Sequence, residues 1–135
     1  MPTSVINDQE KNHLEARKIL VIDDDFNIIK LMTYILKKEK YEVMTARNGQ
    51  DGLKLVIDFN PSLIVLDLMM PVMNGFEFLE QFKSITGADI PVIVTTAKGY
   101  TKEIEKIINS GASAYIEKPF DRNVFLETVR YFIEK

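Results

Sequence analysis

From Lys18 onward the chain alternates between short apolar runs and longer segments of mixed character. The runs are Ile19-Leu20-Val21-Ile22, Tyr41-Glu42-Val43-Met44, Leu63-Ile64-Val65-Leu66, Val92-Ile93-Val94 and Ala114-Tyr115-Ile116. The first, third and fourth are continuously apolar, as strands covered on both faces must be. The second is more polar and suits a sheet edge. Between the runs, apolar residues return at helical spacing. The stripes are Ile28, Leu31, Met32 and Ile35; Leu53, Val56 and Ile57; Phe78, Leu79 and Phe82; Tyr100, Ile104, Ile107 and Ile108; and Phe125, Val129, Phe132 and Ile133. Asn60-Pro61, Gly75, Ile90-Pro91, Gly111 and Pro119 mark boundaries. Five strands alternating with five helices predict an α/β domain, an open parallel sheet with helices on both faces. In such a sheet ligands bind beyond the carboxyl ends of the strands.

Length and composition narrow the classes. A chain of 135 residues fits one domain. Residues 1–17 are mostly polar and read as a flexible arm, with a short helical stretch across Glu10 to Arg17; residues 18–135 form the domain. The absence of cysteine removes disulfides, thiolate metal sites and a cysteine nucleophile. No apolar stretch approaches the ~20 residues that span a bilayer, and the N-terminus lacks the apolar core of a signal peptide, so a cytoplasmic protein without membrane contact is expected. A net charge of -3 argues against nucleic-acid binding by bulk charge.

The strand ends carry the chemistry. Asp23, Asp24 and Asp25 follow the first run, Asp67 the third, Thr95 and Thr96 the fourth, and Lys118-Pro119 the fifth. Each has an ordinary explanation when taken singly. Asp25 or one of its neighbours can cap the next helix, Thr96 can cap the fourth helix, and Lys118 can be a solvated lysine. Asp67 is different, because it precedes Leu-Met-Met-Pro and no ordinary helix start claims its side chain. Adjacent strands lie only ~5 Å apart, so these ends converge. Two carboxylates at ~4 Å repel by ~4 kcal/mol at an effective dielectric near 20. Lys118 offsets part of that repulsion, and a divalent cation would offset the rest. All-oxygen ligands select Mg2+, with Mn2+ a substitute. The lone histidine, His13, lies in the polar arm.

The runs ILVIDDD, LIVLDLMMPVMNGFEFL, PVIVTTAKG and GASAYIEKPF resemble the motifs of bacterial two-component response-regulator receiver domains, in order and approximate spacing. The resemblance covers Lys18 to about Lys135. It implies a flavodoxin-like sheet of strand order 2-1-3-4-5, like that of chemotaxis regulators. It further implies phosphorylation of Asp67 and metal binding by Asp23, Asp24, Asp67 and the main-chain carbonyl of Met69. Asp24 would touch the ion directly and Asp23 mainly through water. Thr96 matches the switch hydroxyl, Lys118 the lysine that pairs with phosphoryl oxygens, and Tyr115 the aromatic that changes rotamer. Lys118-Pro119 matches a cis peptide, and Met69 and Lys98 the side chains that tune hydrolysis.

The expected donor is a sensor histidine kinase or a histidine phosphotransfer protein. The expected output is a downstream effector docking on the helix 4–strand 5–helix 5 face, without direct nucleic-acid binding by this domain. The oligomeric state implied is a monomer or a weak phosphorylation-dependent dimer. The domain is expected to catalyse only its own phosphoryl transfer and dephosphorylation. A stand-alone regulator is the reading preferred; the alternative is the N-terminal receiver of a longer regulator with a DNA-binding or enzymatic output domain. In the winged-helix subfamily an arginine stands nine residues after the Pro, where this chain has Thr128, and Val124 replaces an acidic partner. Two other classes fit less well. A haloacid dehalogenase-type phosphatase needs a second Asp where Met69 stands, and a flavodoxin-like cofactor binder needs a Ser/Thr/Gly-rich loop where three aspartates stand.

Overall fold

Branched apolar runs form strands here because both of their faces are covered. In the computed structural model, which describes residues 17–86, 89–97 and 103–134, the strands are β1 Lys18–Ile22, β2 Glu42–Ala46, β3 Leu63–Asp67, β4 Val92–Ala97 and β5 Ala114–Lys118. Between and after them run α1 Phe26–Lys38, α2 Gly49–Phe59, α3 Gly75–Thr86, α4 Ile104–Asn109 and α5 Arg122–Ile133. All strand pairings are parallel, in the order β2-β1-β3-β4-β5. This is the 2-1-3-4-5 order expected, and it reverses between β1 and β3. Residues 1–16 of the arm, Lys98 and Tyr100 lie outside the described residues.

Side chains of successive strand residues feed two cores. Leu20, Ile22, Ile64, Leu66, Val92 and Val94 pack toward α2, α3 and α4. Ile19, Val21, Leu63, Val65, Ile93 and Ile116 pack toward α1 and α5. β2 is an edge strand with only Ala46 fully buried, in keeping with its polar sequence.

Local chemistry sets the helix starts. Asp25 accepts from the amides of Asn27 at 2.9 Å and Ile28 at 3.4 Å, so capping accounts for it and leaves Asp23 and Asp24 for other work. Asn48 caps α2 and Asp121 caps α5 in the same manner. Asn74 and Glu77 exchange side-chain-to-amide bonds of 2.9 and 3.0 Å at the start of α3, a capping box.

The buried helix faces differ in part from the expected stripes. In α1 the buried set is Ile29, Met32, Ile35 and Leu36, while Ile28 is half-buried and Leu31 exposed. Residues 28, 29, 31, 32, 35 and 36 are all apolar, so spacing alone leaves the face open and packing on β1 decides it. In α2, Leu53 and Val56 are buried but Ile57 is 62% exposed. There the sheet-facing side includes Gly52, where a Cβ would lie 2.5 Å from Ile22 Cδ1. In α4 only Ile107 is buried and Ile108 faces outward. In α5 Leu126 joins Phe125, Val129 and Ile133, and Phe132 is half-buried.

Candidate phosphoacceptor site

Four strand ends build the site. β1 ends at Ile22 and delivers Asp23; β3 ends in Asp67; β4 carries Thr95 and Thr96; β5 ends in Lys118. Asp23 is held from several sides. Its amide donates to Ala46 O at 3.1 Å, its Oδ1 accepts from the Asp25 amide at 2.9 Å, and its Oδ2 accepts from Lys118 Nζ at 2.8 Å. Asp67 Oδ1 lies 3.4 Å from the same ammonium and accepts from the Met69 amide at 3.3 Å. Asp24 is half-buried beside them. Asp23, Asp24 and Asp67 each present an oxygen within 4.8 Å of the others.

The β3–α3 connection folds tightly against this cluster. Leu68 N donates to Thr95 O at 2.9 Å, and Gly75 N to Leu68 O at 2.8 Å. A Cβ on Gly75 would lie 2.9 Å from Leu68 Cα and 3.1 Å from Asp67 O, so only glycine lets α3 start here. Val72 has φ 70° within a three-residue turn closed by Met73 N to Pro71 O at 2.8 Å. Its side chain is 81% exposed.

The electrostatics follow from burial. Loss of water, and then the charge of Asp23, raise the Asp67 carboxyl from 3.8 to about 7, while Lys118 and the Met69 amide pull it down. Burial alone would lower the Lys118 ammonium. The hydrogen bond to Asp23 and the charges of Asp67 and Asp23 outweigh that and hold it above 10.5. For Asp67, burial is the larger cause, the Asp23 charge adds to it, and the Lys118 ammonium offsets only part of the two. The oxygen donor set fits a hard divalent cation such as Mg2+.

Most of the sequence-predicted residues come together. Asp23, Asp24, Asp67 and Lys118 form one cluster, and Lys118-Pro119 is cis. Thr96 is buried and its hydroxyl has no hydrogen-bond partner. The register pairs Val94 with Tyr115, and Val94 and Thr96 share a face, so Thr96 and Tyr115 lie on the same side of the sheet. Tyr115 is partly exposed there. The Met69 side chain points outward, 53% exposed.

Two neighbours had no role in the sequence expectations. Arg47, just after β2, donates from Nη2 to Asp24 O at 3.1 Å and stacks 5.7 Å from the Phe26 ring. The strand-end rule that found Asp67 also points to Arg47, but no family motif does. Thr95 is fully buried with an unpaired hydroxyl, and sequence alone cannot separate it from an ordinary strand threonine.

Comparisons with known proteins agree with this geometry. The probable transcriptional regulator ycf29 of Pyropia yezoensis is 35% identical over 119 residues, covering 87% of this chain and 54% of the relative. The DNA-binding dual master transcriptional regulator RpaA of Synechocystis is 37% identical, covering 87% of this chain and 49% of the relative. The chain thus spans about half the length of these curated relatives. Among solved structures, the chemotaxis protein CheY4 of Vibrio cholerae superposes with a TM-score of 0.82 at 27% identity, covering 87% of this chain and 99% of that one. Residues 19–130 match the sequence profile of the response regulator receiver domain, and the chain belongs to that family.

Proposed function

We propose that Asp67 is the phosphoacceptor of this receiver and that the acidic cluster holds Mg2+ during transfer. The observation that carries this reading is the convergence of Asp23, Asp24 and Asp67 within 4.8 Å, with the Lys118 ammonium between two of them. Asp23, Asp24, Asp67 and the Met69 carbonyl would hold the ion. When bound, the cation supplies positive charge that favours ionised Asp67 and offsets charge on the transferring phosphoryl group.

The chain's own groups do the rest. An Asp67 carboxylate oxygen attacks phosphorus in line, and the P–N bond to the donor imidazole breaks with its electron pair kept on nitrogen. Lys118 pairs with an equatorial phosphoryl oxygen. The orphaned Thr96 hydroxyl gains an acceptor there, which removes the cost of its unpaired burial, ~1–3 kcal/mol. Movement of Thr96 vacates space on the face shared with Tyr115, and the α4–β5–α5 surface changes with it. Exposed Ile108 and Tyr115 give that surface apolar contact area for an effector. Return to the resting state is hydrolysis of the acyl phosphate by the domain itself.

The donor is a sensor histidine kinase or histidine phosphotransfer protein, acting in the cytoplasm. Among the described residues no helix is long and apolar enough to cross a membrane. A stand-alone regulator remains the preferred output. The receiver of a longer DNA-binding regulator is the second reading, favoured by relatives twice the matched length that are described as transcriptional regulators. Whether the reading frame continues past Lys135 separates the two outputs. The phosphoacceptor reading is tested by incubation with acetyl phosphate, with and without Mg2+, resolved by mobility shift. Wild type shifts only with Mg2+ and Asp67→Asn not at all; full labelling of Asp67→Asn defeats the assignment.

A further inference from the structure

Thr95 occupies a position for which valine is the better filler. It is fully buried, and its hydroxyl finds no hydrogen-bond partner. Valine has the same shape without the unpaired group. The register fixes which face of the sheet the Thr95 side chain takes. Thr95 pairs with Asp67 on one side and Ile116 on the other. Val65, Ile93 and Ile116 belong to the α1/α5 core, and side chains return to one face every second residue. Asp67 and Thr95 therefore stand side by side on that face. Asp23, one residue beyond the Ile22–Leu66 pair, extends the same row.

Lys118 lies two residues beyond Ile116, on the strand beyond β4. To bring Nζ within 2.8 Å of Asp23 and 3.4 Å of Asp67, its side chain crosses β4 on the face that Thr95 occupies. An ammonium has three N–H donors, and the two aspartates take two. We propose that Thr95 is a positioning residue for Lys118, its hydroxyl accepting from the ammonium when a cation or a phosphoryl group claims Asp23 and Asp67. This rests on the reading of the acidic cluster given above. Positive charge taken up by the aspartates weakens their hold on Lys118. A neutral acceptor under its path keeps the ammonium over the site instead of releasing it to water, and valine offers none.

The test has a metal-free arm and an Mg2+ arm, both on the whole chain. Without metal, Thr95→Val leaves Tm unchanged or raised in the wild-type background. In the Asp23→Ala background it lowers Tm by several degrees, because there the hydroxyl has become a partner of the ammonium. Thr95→Ser follows threonine in both backgrounds. An effect of the same sign in both, or a serine variant that behaves as valine, overturns the proposal. With Mg2+, Thr95→Val binds at least fivefold more weakly than wild type and Thr95→Ser is restored; equal affinities overturn it as well. A wild type that takes up no Mg2+ defeats the reading of the acidic cluster, and the metal-free comparison then decides on Thr95 alone.

Discussion

Lys118 is bonded more closely to Asp23, at 2.8 Å, than to the Asp67 carboxylate beside it, at 3.4 Å. Burial, and then the charge of Asp23, raise the Asp67 carboxyl to about 7, and its longer contact with the ammonium offsets only part of that. In the metal-free protein its contribution to stability has a definite sign. Between 3.8 and about 7 the folded state holds a proton on Asp67 that the unfolded state has released. Stability therefore falls as pH rises through that window and levels above it. Lys118, raised above 10.5, contributes stability that is present below that value and lost only as pH rises beyond it. Asp67→Asn flattens the fall and at pH 8 is more stable than wild type by on the order of 2 kcal/mol. Thermal unfolding from pH 4 to 8 in chelator checks this. An unchanged slope in the variant would show that Asp67 titrates normally.

Mg2+ at millimolar concentration raises Tm of the wild type, and chelation reverses it. Asp24→Ala abolishes that response, since Asp24 is the one carboxylate of the cluster with outward access and no ammonium partner among the described residues. Asp23→Ala retains part of it. Calorimetric titration of the two variants separates them, and equal losses would remove the division of labour between the two aspartates.

Val72 is β-branched at φ 70° and 81% exposed, so it bears backbone strain with little packing to lose. Val72→Gly is expected to stabilise the fold by about 1 kcal/mol, measured by urea denaturation. A loss of stability would mean that the valine side chain makes contacts its exposure does not reveal.

Met69 stands two residues from Asp67 with its side chain 53% exposed, and a thioether cannot orient a water by donating a hydrogen bond. Met69→Asn is expected to shorten the lifetime of the phosphorylated protein several-fold under saturating Mg2+. Loss of label from purified phosphoprotein gives the rate directly, and an equal rate in both proteins excludes the side chain from hydrolysis.

Gly75→Ala places a Cβ 2.9 Å from Leu68 Cα, a backbone atom that cannot swing aside. Destabilisation of about 2 kcal/mol or more is expected, together with weakened Mg2+ binding, because the displaced segment carries Asp67 and Met69. Gly52→Ala has the Ile22 and Phe78 side chains as its nearest neighbours and serves as the control that loses stability alone.

Much of this was legible in the residues. Continuous apolar runs such as Leu63 to Leu66 admit few arrangements other than covered strands, and charges placed just after them had to meet at one pole. The helix faces were less legible. Ile28 and Ile29, or Ile35 and Leu36, are equivalent to any periodicity rule, and only packing on the sheet chooses between them. Arg47 and Thr95 escaped for a different reason. The strand-end rule places both residues near the site, but a guanidinium bonded to the Asp24 carbonyl and the pairing of Thr95 with Asp67 on the neighbouring strand are relations that no local pattern encodes.

The bond between Lys118 and Asp23 joins residues 95 positions apart. Closing so distant a contact carries a loop-closure entropy cost, and the contact depends on β5 being in place. A chain still emerging from the ribosome, or cut before β5, carries the aspartates without their counter-charge. On the phosphoacceptor reading, a copy cut before β5 lacks the ammonium that meets Asp23 and Asp67, so its site is incomplete although all three aspartates of the cluster are present.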